Sequence, residues 1–347
     1  MHHTSFEKIK EELNNWKEIV KPYTTPEFTK AIWQLINTFP PFIALCVGAC
    51  ILYNYTIWGG MLLTLGAGLF LTRVFVIQHD CGHQSFMPSR KANDVIGFIC
   101  SFFTLIPYKY WARTHHHHHA HQGQLDTRTI GDITLLTVEE YEKLSAWGKL
   151  RYRIYRSAPV LFLLGPLYYI FIHNRLPLVT LKGWKKEKRS LVFTNLYLIV
   201  FYASLGYWIG YQKLAILYFP IVMLFASIAV WFFYIQHQHD PNYKSWKDEW
   251  DYLLAAIKGS SYYKLPKVMN FFSGNIGYHH IHHLAAKIPF YKLEKCSKEN
   301  PVLQKYVTTL TFWKSLKYAF YTLWDEESQK MITFRQYKKL KTQRVTA

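Results

Sequence analysis

The 347-residue sequence has few acidic residues, 22 Asp and Glu against 41 Lys and Arg, which gives a formal charge of +19. It also has none of four common site motifs, namely C-x-x-C, H-E-x-x-H, G-x-G-x-x-G and the P-loop. These absences argue against a zinc protease of the H-E-x-x-H type, a dinucleotide-binding domain and a P-loop nucleotide hydrolase. The five cysteines are odd in number and indicate a reducing environment rather than a disulfide framework.

Aromatic residues, by contrast, make up 18% of the chain, and half of all residues are hydrophobic. Such a composition is incompatible with intrinsic disorder. A basic and apolar chain meets either nucleic acid or a membrane. No nucleic-acid-binding module is visible and the basic residues flank apolar runs, so we expect no nucleic-acid partner.

Four apolar runs are long enough to cross a bilayer, which takes about 20 residues. Very short connectors around Tyr55 and Gln212 join them into two pairs, so each pair is predicted to be a hairpin. Two weaker stretches, 95–106 and 158–172, are predicted to be interfacial or re-entrant. The predicted spans are 31–53, 56–78, 191–211 and 213–235.

Lysine and arginine are concentrated in residues 1–30 and 174–190 and are nearly absent from the hairpin tips. The positive-inside rule therefore places both termini and the region 79–190 in the cytoplasm. We predict an all-α integral membrane protein with four transmembrane helices in two hairpins and a cytoplasmic helical cap. The predicted regions are an N-terminal segment (1–30), the first hairpin (31–78), a cytoplasmic or interfacial region (79–190), the second hairpin (191–235) and a cytoplasmic C-terminal region (236–347).

The 17 histidines fall mainly into four clusters. His79 and His83 follow the second span at an i, i+4 spacing, which places both rings on one helix face. Two further clusters share the spacing H-x-x-H-H, and His116, His117 and His280 lie off the predicted face. The residues with this spacing are His115, His118 and His119 in one cluster and His279, His282 and His283 in the other.

The fourth cluster follows the last span and contains His237 and His239, whose alternating spacing cannot bring both rings to one helix face. The eight histidines of the three other clusters are more than one tetrahedral zinc can use. The count therefore predicts a two-metal centre. Imidazole suits iron, copper, zinc and nickel, whereas magnesium and calcium prefer oxygen ligands.

The three boxes His79 to His83, His115 to His119 and His279 to His283 resemble those of the membrane fatty acid desaturases. Further short stretches look like the bacterial acyl-lipid desaturases of the Bacillus delta-5 type. These stretches are 84–86, 131–133, 259–261, 263–266 and 274–278.

This resemblance implies a non-haem di-iron enzyme that uses O2 and two electrons to introduce a cis double bond into a saturated acyl chain. It also implies that His237 is a ninth iron ligand, whereas His239 does not match the family's position. The implied substrates are the acyl chains of membrane phospholipids, and the implied electron donor is a ferredoxin or flavodoxin. The enzyme is expected to be a multi-pass protein of the cell membrane with its active site on the cytoplasmic side.

Residues beside the ligands are expected to orient the imidazoles through their second ring nitrogen. Asp80 is one candidate, and Asn275, four residues before His279, is another because it could hold a water or orient a ligand. The other candidate carboxylates are Asp126, Asp132, Glu249 and Asp251.

Two alternatives to a desaturase remain open at this point. A membrane di-iron hydroxylase of alkyl or carotenoid chains would carry the same histidine boxes. A divalent-metal transporter would place ligands near the bilayer midplane, but the predicted spans are nearly free of charged residues and histidines.

Overall fold

The computed structural model describes residues 2–179 and 181–346 and is mostly helical. The helices are α1 (His2–Glu12), α2 (Trp16–Val20), α3 (Phe28–Ile36), α4 (Phe39–Leu52), α5 (Ile57–Gly82), α6 (Arg90–Thr104), α7 (Tyr108–His121), α8 (Val138–Glu142), α9 (Ala146–Tyr155), α10 (Gly165–Tyr168), α11 (Lys185–Ile209), α12 (Tyr211–His237), α13 (Tyr252–Ile257), α14 (Lys267–Phe272), α15 (His279–Leu284), α16 (Phe290–Glu299), α17 (Phe312–Ser315) and α18 (Phe334–Thr346).

Five short strands form two small sheets, which the prediction of an all-α fold does not include. In one sheet β2 and β3 are parallel, and in the other β4 pairs with β1 in parallel and with β5 in antiparallel orientation. Strands of two to five residues are too short to show an alternating pattern in the sequence. Their bounds are β1 (Leu136–Thr137), β2 (Ser261–Tyr263), β3 (Thr308–Leu310), β4 (Tyr321–Asp325) and β5 (Lys330–Thr333).

Four stretches of helix are long and apolar enough to cross a membrane, and two bent helix pairs could add to this number. The first comprises α3 and α4 together, and the others are α5, α11 and α12. They correspond to the four predicted spans. However, α5 and α12 continue past the predicted ends at 78 and 235 and finish at Gly82 and His237. The histidines next to these spans are therefore part of the same rigid helices.

Helix α5 is the most buried of the four and packs against α4, α6 and α12. The other three expose apolar side chains over most of their length, as lipid-facing helices do. At the ends of the helices opposite the histidines, Tyr55, Trp58, Tyr207 and Trp208 are each at least 76% exposed. Tyrosine and tryptophan at this position are typical of a membrane interface.

A buried arginine holds the break between α3 and α4. Arg73 of α5 is 3% exposed, and its Nε donates a hydrogen bond to Thr38 Oγ1 at 3.0 Å. Its guanidinium also donates to Gln34 and to the carbonyl of Phe271, at the end of α14. A charged group in a spanning helix requires such partners. Arg73 therefore links the first span to the segment that precedes the third histidine box.

The two weaker apolar stretches both belong to bent helix pairs. Helices α6 and α7 meet at 101°, and α9 meets the following helical stretch, Val160–His173, at 58°. At the first bend Leu105 has a left-handed backbone with φ of 59°. A Cβ on Gly97 would lie 2.4 Å from the ring of Tyr108, so only glycine allows α7 to pack this close to α6. The bend directs α7, with its histidines, across the end of α5.

A candidate di-metal centre

The first histidine box lies on the last turn of α5. His79 is inside the helix and His83 is its C-cap, so the two rings lie on one face with centroids 4.7 Å apart. Both residues are buried, and Nε2 of His83 has no hydrogen-bond partner among the described residues. A buried nitrogen that faces other nitrogens and has no protein partner is suited to bind a metal ion.

The second box lies on α7, whose histidine side chains divide between two directions. Nε2 of His115 lies 2.9 Å from Nε2 of His79 and 3.1 Å from Nε2 of His119. His118, in contrast, points away from this group, and its Nε2 lies 3.2 Å from Nε2 of His237. The three histidines that share the H-x-x-H-H spacing therefore do not converge on one point.

The third box forms the short helix α15, which is entirely buried. Nε2 of His279 lies 2.9 Å from Nε2 of His237 and 3.1 Å from Nε2 of His283. His282 faces the opposite way and approaches Nε2 of His119 at 3.1 Å. This box divides in the same manner as the second.

The nine histidines form two groups. One ring nitrogen from each histidine of the first group lies within 4.8 Å of those of the others, and the same holds for His118, His237 and His283 in the second. His279 joins the second group through its contacts with His237 and His283. The first group is His79, His83, His115, His119 and His282, and the second is His118, His237, His279 and His283.

Each of the two H-x-x-H-H boxes provides histidines to both groups. Each box gives its i, i+4 pair to one group and its i+3 histidine to the other group. Thus α7 gives two histidines to the first group and one to the second, and α15 does the reverse. On a helix, positions i+3 and i+4 differ by about 100° in direction, which is enough to serve two neighbouring centres.

The spacing of the nitrogens fits a metal ion. For metal–nitrogen bonds of about 2.1 Å, neighbouring ligand nitrogens are about 3.0 Å apart in an octahedral shell and about 3.4 Å apart in a tetrahedral one. The closest Nε2 pairs here are 2.9 to 3.2 Å apart. Direct hydrogen bonds cannot explain the whole set, because a neutral imidazole has one N–H. The residues present therefore fit two metal ions with nitrogen ligands.

The protonation state of these histidines also suits metal ligation. Burial, together with the neighbouring histidines, holds the pKa of His282 and His283 well below the usual value of 6.5. The same causes lower the pKa of His279. These side chains are neutral at pH 7, which is the form that binds a metal.

The remaining histidines of the clusters lie outside both groups. His116 is exposed, and the ring of His117 stacks on that of His121 at 4.1 Å. His239 is buried, but its Nδ1 bonds to the carbonyl of Pro241 at 2.8 Å. His280, also buried, contacts Gln304 at 3.0 Å. The structure thus separates the two members of the His237 and His239 cluster, as their spacing predicts.

Two of the candidate carboxylates contact histidines of the groups. Asp80 Oδ1 lies 3.0 Å from Nδ1 of His79, and its Oδ2 accepts a hydrogen bond from the backbone N–H of Phe290 at 2.6 Å. Asp132 Oδ1 lies 2.9 Å from Nδ1 of His118. Asp80 therefore holds His79 with the geometry that fixes the imidazole tautomer, whereas Asp132 lies close to His118 without a hydrogen bond of suitable geometry.

The other polar candidates have different contacts. Asp126 accepts a hydrogen bond from the backbone of Lys247, and Asp251 caps the N-terminus of α13. The backbone carbonyl of Glu249 accepts from the hydroxyl of Tyr243 at 3.0 Å. Asn275 has a left-handed backbone, and its amide donates to the carbonyl of Phe290 at 3.5 Å.

Gln122 is a polar neighbour of the site that the sequence analysis does not identify. Its Nε2 lies 3.2 Å from Nδ1 of His237 and donates to the carbonyl of Gly259 at 2.7 Å. Gln122 follows directly after α7 and is 2% exposed. Its place next to the histidine-rich helix is the one sequence signal that could have suggested it.

Aromatic side chains lie one helical turn before the histidines, on the side of the spans. Phe75 precedes His79 by four residues, and Trp111 and Phe233 precede His115 and His237 by the same number. The ring of Trp111 stacks on His115 at 4.6 Å, and that of Phe233 lies 5.4 Å from His237. These rings form an apolar layer between the histidines and the membrane-facing part of the molecule.

Comparisons with known proteins agree with this arrangement. A family model described as "Fatty acid desaturase" matches residues 54–313. The chain is similar to a fatty acid desaturase of Bacillus subtilis, with 40% identity over 92% of this chain and 90% of that protein. It is also similar to a probable fatty acid desaturase of Sorghum bicolor, with 27% identity over 80% and 72%. An sn-1 oleoyl-lipid 12-desaturase of Synechocystis is 26% identical over 68% and 73%.

Proposed function

The chain belongs to the fatty acid desaturase family, and from this premise we propose that it introduces a cis double bond into acyl chains of membrane lipids at a di-iron centre. The observation that carries the proposal is the convergence of nine histidines from four helices into two groups of nitrogen ligands. The similar sn-1 oleoyl-lipid 12-desaturase supports a lipid-linked substrate.

The metal ions would be held by the nine histidines. Bound iron and O2 would supply the oxidising power to break C–H bonds that have no acidic proton and no leaving group. The protein's own contribution is to hold the imidazoles. Asp80 keeps a proton on Nδ1 of His79, so that Nε2 presents its lone pair, and Asp132 places a carboxylate beside Nδ1 of His118.

The apolar layer of Phe75, Trp111 and Phe233 would position the acyl chain. These rings lie between the histidines and the spans, so a chain that enters from the bilayer must pass them to reach the centre. They also exclude water from the membrane side of the site. Exclusion of water protects a strongly oxidising centre from side reactions.

We also propose that the four spans form two hairpins in the cell membrane, with the histidines on the cytoplasmic side. The short connectors 53–56 and Gly210 lie at the ends of the helices opposite to His79 and His237. The basic residues that precede α3 and α11 lie at the ends of these helices on the side of the histidines. In this arrangement the N-terminal segment is 1–30, and the two hairpins are 31–78 and 191–235. The region 79–190 between them is cytoplasmic or interfacial, and 236–347 is the cytoplasmic C-terminal region.

The test is to express the chain in a bacterium that lacks desaturases and to profile its lipid acyl chains by mass spectrometry. New monounsaturated chains and two irons per purified chain are the expected result. The His118→Ala variant is expected to lose iron and product together, whereas His121→Ala, outside both groups, keeps them. Hydroxylated products would show a hydroxylase instead, and tightly bound zinc with flux across vesicles would show a transporter.

A further inference from the structure

A cavity of about 620 Å³ opens beside the first histidine group and has no part in the function proposed above. His83 and His119 are among its lining residues, together with the exposed His116. One wall comes from the N-terminal segment, from Trp16 to Thr24, and the other from residues 284–287, at the end of α15 and just after it. The cavity is therefore a place where ligands of the candidate centre come close to the protein surface.

This cavity lies on the side of the histidines that faces away from the spans. His83 caps the end of the span α5, one turn beyond His79, and the N-terminal segment that forms one wall precedes the first span. The aromatic layer lies one turn in the opposite direction. An acyl chain from the bilayer reaches the centre through that layer, so an occupant of the cavity comes from the aqueous side.

The lining of the cavity has a distinct charge. Lys17, Lys21 and Lys287 are exposed at its edge, and no aspartate or glutamate is among the residues that line it in the described part of the chain. Trp16 and Leu284 are among the apolar side chains of the same lining. Apolar side chains beside exposed charges of one sign suit a protein partner of the opposite charge.

We propose that this cavity is the docking site of an acidic, soluble, one-electron carrier protein. The proposal rests on the function proposed above, which has the balance R–CH2–CH2–R′ + O2 + 2 e⁻ + 2 H⁺ → R–CH=CH–R′ + 2 H2O. Two electrons must come from outside the substrate, so two reduced carriers must dock in each turnover, and each is oxidised by one electron.

The cavity suits this role because of its position and its charge. The imidazoles of His83 and His119 line the cavity and belong to the first group, so a carrier that docks over the cavity would lie beside ligands of the candidate centre. Exposed lysines of the lining steer an acidic partner and raise its association rate, and this effect weakens with salt. Lys287 also donates a hydrogen bond to the carbonyl of His83 at 2.7 Å, which ties one wall of the cavity to the end of α5.

The test uses the full-length chain in lipid nanodiscs and the double variant K17E/K21E. Both lysines are exposed and lie outside the two histidine groups. The matched control is K186E/K188E, the same charge change at exposed positions of α11. Desaturation is measured with a plant-type ferredoxin reduced by its reductase and NADPH, at low and high salt, and separately with a small chemical reductant.

For K17E/K21E we expect the KM for ferredoxin to rise about tenfold at low salt, and the salt dependence to become weaker. Iron content and activity with the chemical reductant stay at the wild-type level, which shows that the variant is folded. The control variant keeps the wild-type KM for ferredoxin. Carbodiimide cross-linking is expected to join ferredoxin carboxylates to Lys17 or Lys21 in the wild-type chain.

Three results would overturn the docking proposal. The first is an unchanged KM for ferredoxin in K17E/K21E, and the second is an equal rise in the control variant. The third is an unchanged KM for ferredoxin with a raised KM for the lipid, which would assign the cavity to anionic head groups. If the wild-type chain forms no unsaturated lipid with either reductant, the proposed function itself fails, and this outcome is distinct from the other three.

Discussion

Asp80 provides the sharpest test of how the chain prepares a histidine for metal binding. The carboxylate is 1% exposed and lies between Nδ1 of His79, at 3.0 Å, and the backbone N–H of Phe290, at 2.6 Å. Asp80→Asn preserves the volume and the shape of this side chain. Its single amide oxygen accepts from Phe290, so the NH2 group faces His79.

The substitution reverses the direction of the hydrogen bond between residue 80 and His79. Nδ1 must then accept a hydrogen bond from the amide, so the neutral ring carries its proton on Nε2, the atom that faces the first group. Loss of such an outer partner typically reduces metal affinity about 10- to 100-fold, or about 1.4 to 2.7 kcal/mol. Because the contact with Phe290 remains, we expect the fold to persist while iron is lost from the first group.

The assay is the iron content of the purified protein after dialysis against increasing concentrations of a chelator. We expect Asp80→Asn to release iron at about 10- to 100-fold lower chelator strength than the wild-type chain. Asp126→Asn is the matched control, because that carboxylate contacts the backbone of Lys247 and no histidine of either group. The reasoning is refuted if Asp80→Asn retains two irons with unchanged resistance to the chelator.

Three further predictions concern the stability of the same region. Gly274→Ala should lower the unfolding free energy by about 2 to 4 kcal/mol, because a Cβ there would lie 2.6 Å from Val76 and the backbone φ is +53°. Gly183→Ala, where the space around the Cβ is open, should lower it by only about 1 kcal/mol. Thermal melting of the two variants distinguishes these values. Chelation of the metal should lower the melting temperature of the wild-type chain, and an unchanged value would contradict tight binding. The melting temperature of the chelated chain should fall progressively as the pH drops below 6.5. Burial lowers the pKa of His282 and His283 in the folded state, so only the unfolded state takes up protons at these residues in this pH range. A melting temperature that does not change with pH would contradict this.

The sequence predicts the spans and the histidine boxes well, because both depend on local spacing. Apolar runs of about 20 residues have few alternatives to a spanning helix. The i, i+4 spacing likewise brings His79 and His83, or His115 and His119, to one helix face whatever the rest of the fold.

The division of the histidines between two groups could not be predicted in this way. It depends on how α7 and α15 lie relative to α5, and α7 owes its direction to the bend at Leu105. The same limit applies to the carboxylates. Asp80 and Asp126 look equivalent in the sequence, but only Asp80 meets a partner 210 residues away that holds it against a ligand.

The docking cavity also depends on tertiary structure. It forms where the N-terminal segment packs beside the loop after the third box, two parts of the chain that are more than 250 residues apart. From the sequence, Lys17 and Lys21 are two of many basic residues with a role in topology. In the structure these lysines lie beside histidines of the first group, which indicates a more specific role for them in docking a partner.

Helices α7 and α15 each provide histidines to both groups, and this has a consequence for the order of biosynthesis. The first group is complete only when the ribosome has made His282, and the second only when it has made His283. All four spans precede this point in the chain. We therefore expect loading of the proposed metal ions to be a late step that follows membrane insertion, and a chain truncated before its third box to hold an incomplete set of ligands at both positions.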